Sequence, residues 1–107
     1  MTLLNLKLET IKVGDTWRGL PDIDFDPDIT SDLVEVYVTF RESEWTAVKL
    51  TLDINSGITI TDPANNIFTT TPQVLDLLDG LWLISVTAVF ADGTRYSQIR
   101  GTQRITR

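Results

Sequence analysis

Apolar and polar residues alternate over most of this chain with the two-residue period of strands, not the 3.6-residue period of helices. The cleanest run is Leu81 to Phe90, where Trp82, Ile84, Val86, Ala88 and Phe90 fall on one face. Asp92-Gly93 follows, and a second β-rich run begins at Thr94. Asp-Gly between two such runs is a strong hairpin signal, and it predicts a type I′ turn with φ > 0 at both central residues. Leu33 to Arg41 alternates as cleanly, with Val34, Val36, Val38 and Phe40 on one side and Glu35, Tyr37, Thr39 and Arg41 on the other. Trp45 to Asp53 runs back, with Val48, Leu50, Leu52 and then Ile54 on its apolar face. Ile58 to Ile60 and Ile67 to Thr70 are shorter strands, set off by Asn55-Ser56-Gly57 and by Asp62-Pro63.

At the start of the chain Leu4, Leu6 and Leu8 alternate with Asn5, Lys7 and Glu9, but Ile11 and Val13 fall on the opposite parity. A strand that changes its buried face midway bulges or crosses between sheets. Near the other end Gly101, inside the last strand, predicts a second bulge beside Arg100. The only helical signal is Thr71 to Asp79, with Thr71 as cap, Pro72 at the first helical position and Gly80 as stop; one short helical turn is expected near 71–79. Seven to eight strands with turns about every ten residues predict an all-β fold. The expected form is a single immunoglobulin-like sandwich of antiparallel strands, with residues 1–107 as one domain.

Composition removes several functions. The chain has no cysteine and no histidine, so disulfides, thiolate metal sites and the commonest general base are absent. A net charge of −6 argues against nucleic-acid binding, which rests on neutralising phosphates. No apolar run approaches the ~20 residues that span a bilayer, and the N-terminus does not read as a signal peptide. The charge is also uneven. Six aspartates and a single base lie between Asp15 and Asp32, whereas four arginines and no acid lie between Arg95 and Arg107. Such asymmetry suits like copies meeting head to tail or two different partners, or else marks two solvated loops.

Candidate chemistry is sparse. Asp22, Asp24 and Asp26 match the first three ligand positions of an EF-hand loop, with Asp28 beyond them as a further weak calcium ligand. Pro27 stands where that loop needs Gly, and Leu33 where it needs a bidentate Glu. A solvated or partner-facing loop is the expectation. Glu42 and Glu44 flank a turn that offers no pocket to split their pKa values. The serines have no histidine to activate them, and no phosphate loop or dinucleotide fingerprint occurs. Neither enzymatic activity nor a cofactor is expected. Among the tryptophans, Trp82 is read as core. Trp17 and Trp45 lie near turns, each a lid on the core edge or an exposed contact, and Trp17 is the one assigned to a partner. Leu81, Leu83 and Val89 lie opposite Trp82 and need a separate cover.

The order GDTW (14–17), VEVYVTFR (34–41), GITITD (57–62), LLDGLWLISVTAVFADGTRY (77–96) and RGTQRITR (100–107) resembles small tailed-phage proteins of immunoglobulin-like fold, the N-terminal domain of phage baseplate upper proteins among them. The resemblance covers most of the chain and rests on turns and core strands. It implies a non-enzymatic virion structural protein, a baseplate or tail adaptor that attaches fibre or receptor-binding proteins, with other virion proteins and copies of itself as partners. A head decoration protein and a small calcium- or carbohydrate-binding module are the alternatives. The N-terminal leucine strand and the last strand are expected at the edges of the fold or as extensions into neighbours. Arg95, Arg100 and Arg104 on that last strand are expected, with Trp17, to carry partner contacts.

Overall fold

In the computed structural model, which describes residues 6–20, 31–43 and 45–107, every regular element but one is a strand. In chain order these are β1 (Leu6–Lys7), β2 (Ile11–Lys12), β3 (Thr16–Trp17), β4 (Leu33–Arg41), β5 (Leu50–Leu52), β6 (Ile58–Asp62), β7 (Ile67–Thr70), β8 (Gln73–Val74), β9 (Gly80–Phe90) and β10 (Arg95–Thr106). The exception is a 3₁₀ turn, Pro63–Asn65, between β6 and β7. Asp62 caps it by accepting from Asn65 N, and Pro63 supplies the fixed φ that starts it. The fold is all-β, as the alternation predicts.

One large sheet carries the order β1-β10-β9-β4-β5, with β2 added beside β1 on the same side of β10. Two small ribbons, β3 with β8 and β6 with β7, are the other strand pairs among the described residues. The alternation of β9 and β4 delivers one apolar face. Trp82, Ile84, Val86, Ala88 and Phe90 join Leu33, Val36, Val38 and Phe40 in a single buried cluster. The ribbons supply its cover with Trp17, Ile58 and Phe68, and the segment after β8 adds Leu75 and Leu77. Fully burying each such side chain stabilises the fold by roughly 1.5–3 kcal/mol.

Both expected bulges occur. The register of β1 puts Leu6 beside Gly101, whereas that of β2 puts Ile11 beside Ile105, so one extra residue lies on the N-terminal side. This is the parity slip seen in the sequence. The chain stays on one side of β10 and does not cross to a second sheet. In β10 the register against β9 shifts between Ile99 and Gly101, at Arg100. A third bulge was not foreseen. Between Leu33 and Glu35 the pairing with β9 also slips, so Leu33 turns inward and Val34 is left 42% exposed.

Four expectations are corrected. First, residues 71–79 are extended. Gln73–Val74 pairs with Thr16–Trp17, and Leu75 and Leu77 are buried while Val74, Asp76 and Leu78 are exposed. Two buried leucines at period two outweigh a local capping signal. Second, the Asp92-Gly93 turn is not type I′. Gly93 has φ +92°, but Asp92 does not share it, since Asn66 is the only non-glycine with positive φ among the described residues. Gly93 N donates to Phe90 O and Phe90 N donates to Thr94 O. That is a three-residue loop closed by a left-handed glycine. Third, not all pairing is antiparallel, because β1 and β2 run parallel to β10. Fourth, the N-terminal strands do form the edge, but they lie outside β10, so Gly101–Ile105 is an interior run and not the edge of the sheet.

Candidate interaction surfaces

The three tryptophans fall into three environments. Trp82 is core, and its Nε1 donates to Leu78 O at 3.0 Å, fixing the chain where it enters β9. Trp17 is 2% exposed, which corrects its assignment to a partner. Its ring meets Phe40 edge-on at 5.4 Å, and its Nε1 donates to Gln103 Oε1 at 3.1 Å. Gln103 is itself buried, and its Nε2 donates to Glu9 O and Arg104 O. One amide thus binds the β3 indole to the bulged N-terminal strand. The sequence offered no sign of this, since Gln103 sits in an Arg-flanked run that reads as polar.

Trp45 is the opposite case, at 92% exposed. It stands on the turn between β4 and β5, and hydrogen bonds fix that turn. Ser43 N donates to Thr46 Oγ1 at 2.9 Å, Thr46 Oγ1 donates to Ser43 O at 3.0 Å, and Thr46 N also donates to Ser43 O. Lys49 N then donates to Phe40 O, closing the turn onto β4. A large aromatic held in water by an ordered turn gains nothing from the fold, which is the pattern of an interface anchor. Beside it, Glu42 is exposed and Glu44 lies outside the described residues.

The solvent face of the large sheet holds Arg95 and Arg104, two of the arginines singled out in the sequence. Arg95 is paired in register with Val89, itself beside Glu35, and the Arg95 guanidinium lies 6.0 Å from the Tyr37 ring centroid. Tyr37 donates to Glu35 Oε2 at 2.7 Å, and this bond to the carboxylate holds the phenol above its ordinary pKa. Arg95, Tyr37 and Glu35 form one polar group at the turn end of the β9–β10 hairpin. Arg104 is exposed and pairs in register with Leu81, many residues away along the same strand. The structure does not bring these two arginines together. The backbone of Arg100 occupies the bulge, and its side chain lies outside the described residues. Of the apolar residues opposite Trp82, Leu81 is exposed while Leu83 and Val89 are half-buried.

Asp22, Asp24, Asp26 and Asp28, the weak calcium candidates, lie outside the described residues. Among the described residues no group of three or more His, Cys, Asp or Glu is placed to hold a metal ion. A shallow groove of about 390 Å³ runs past Val13, Val74, Leu75, Leu77 and Leu78. A smaller cleft of about 220 Å³ lies between Leu8, Ile11, Thr16 and Trp17. Neither gathers the paired acids or nucleophile and base that catalysis requires. Comparison of the chain with protein-family models, with curated proteins and with solved structures finds no match.

Proposed function

We propose that this protein is a non-enzymatic interaction module of the tailed-phage virion, a baseplate or tail adaptor that joins other virion proteins through surface contacts. The observation that carries the reading is Trp45, an almost fully exposed tryptophan on a hydrogen-bonded turn. Interface energy concentrates in a few aromatic and arginine anchors, and a preordered turn loses little entropy when it docks. The sequence resemblance to small tailed-phage proteins supplies the setting.

We propose also that the fold is immunoglobulin-like, a reading that features of the large sheet support. The run β10-β9-β4-β5 has the order and antiparallel pairing of the G-F-C-C′ strands of a variable-type sheet. Trp82, at the start of β9, bonds back to Leu78 O, as the tyrosine of a tyrosine corner does at the start of strand F. The covering layer departs from that pattern, since β3 pairs with β8 and the β6–β7 hairpin stands apart from both.

The test is binding of purified protein to isolated tail and capsid particles, with Trp45→Ala beside the wild type. The proposal expects the wild type to bind tails and Trp45→Ala to lose most of that binding while keeping its melting temperature. Binding to capsids alone would move the role to head decoration. Binding to neither would end the virion reading.

A further inference from the structure

β5 ends the large sheet, and among the described residues no strand pairs with its far side. The residues along this edge are unusually apolar for an open one. Val48 and Ile54, expected on the buried face, are 39% and 45% exposed, because the strand pairing with β4 covers only Leu50–Leu52. Open edges ordinarily carry devices that block strand addition, a lysine above all. Here that lysine is Lys49, and the run Val48-Lys49-Leu50-Thr51-Leu52-Asp53-Ile54 reads nearly the same in both directions.

We infer that two copies of the chain pair antiparallel through β5, about a two-fold axis at Thr51, to form one sheet continuous across a dimer. In that register Leu50 faces Leu52 of the second copy on the core side, and Val48 approaches its Ile54. On the solvent side Lys49 faces Asp53 of the second copy, twice by symmetry, and the two Thr51 side chains meet at the axis. The blocking lysine thus becomes an attractive pair. Among the described residues Lys49 has no ion pair within its own chain. A slip of one residue would set apolar positions against polar ones, since side-chain facing alternates with period two. A slip that keeps the facing separates Lys49 from Asp53. The charges therefore select the register.

The pairing also suits the exposed groups around it. Asp53 Oδ1 accepts from Asn55 N and Ser56 Oγ, which orders the turn ending the strand and leaves Oδ2 for the lysine. The inference concerns contact between copies and does not depend on the virion partner.

The absence of cysteine makes the test direct, because Thr51→Cys introduces the only thiol in the chain. Thr51 is exposed, and opposed residues across an antiparallel pair lie within disulfide reach. Oxidised at micromolar concentration, Thr51→Cys should form a covalent dimer much faster than Thr59→Cys, an exposed control on β6. Sedimentation of the wild type should show a monomer–dimer equilibrium. Lys49→Asp should weaken it roughly tenfold or more, since two attractive pairs become repulsive, and adding Asp53→Lys should restore it. Sedimentation as a monomer at every concentration would overturn the inference. So would a dimer in which Thr51→Cys links no faster than the control.

Discussion

Gln103 is the residue on which the two ends of the chain depend. Its buried side chain accepts from Trp17 Nε1 within the core and donates to Glu9 O at the core's margin. Replacing it with Leu leaves the indole donor without a partner, and a buried unsatisfied group costs about 1–3 kcal/mol. Trp17→Phe removes that orphan donor, so the double variant should recover part of the loss. Denaturant titration of the four proteins measures this coupling; purely additive losses would show that the bond contributes nothing. Asp92 acts at the same scale through its charge. Hydrogen bonds from the Thr94 side chain and backbone hold its carboxyl below the ordinary value. A depressed folded pKa gives stability that is present above the unfolded value, near 4, and is lost as pH falls through the folded one. Asp92→Asn keeps an acceptor and cannot titrate, so its melting temperature should fall less than that of the wild type across the acid limb. Residue roles were the least legible part of the sequence. Trp17 and Trp45 both lie near turns, and only the fold shows that one closes the core while the other stands in water. The difference lies in which strand follows each turn, and local pattern does not contain that.

Strands, by contrast, were legible wherever alternation ran long enough. β4 and β9 form as their periodicity predicts, because a one-residue slip would turn a whole apolar face to water. The bulges near Leu8–Ile11 and at Arg100-Gly101 left marks in the sequence, a parity change and a glycine in a strand. The bulge at Val34 left none, since Leu33 and Val34 are equally suited to the core and only the pairing with β9 selects between them. Residues 71–79 failed for a different reason. Thr71, Pro72 and Gly80 give local helix punctuation, while the alternation of Leu75 and Leu77 gains its value only from a core supplied by distant strands. The two geometries make separate predictions. In the extended segment Leu77 is buried and Leu78 is 78% exposed. Leu77→Asp should therefore destabilise by about 3 kcal/mol or more, as a charge placed in the core. Leu78→Asp should stay within about 0.5 kcal/mol, as surface changes do. Comparable losses at both positions, measured by chemical denaturation, would mean that the alternation does not govern this stretch.

At the level of the whole molecule, the chain's first strands complete its last sheet. β1 and β2 pair with β10 across nearly the full length of the sequence, so the sheet cannot close until the C-terminal hairpin exists. The alternation and turn spacing made an all-β fold readable, but nothing local announced this parallel closure, because parallel partners share no turn. β9 sits in the middle, with β4 on one side and β10 on the other, and every second residue of it is buried. The β3–β8 ribbon has only two residue pairs of backbone pairing, and beyond them depends on Trp17. Local opening follows the least buried and least paired elements, so protection from hydrogen exchange should be graded across the molecule. Amides from Ile84 to Phe90 should exchange only through global unfolding, with free energies that match denaturant titration. Amides of Thr16, Gln73 and Val74 should exchange earlier, through an opening that leaves the large sheet intact. Gln103→Leu should widen this gap, because it frees β3 from β10 without touching the pairing of β9. If the ribbon amides were as slow as those of β9, and remained so in the variant, the two layers would open as one unit. The buried amide would then be a packing detail, not the tie between the layers.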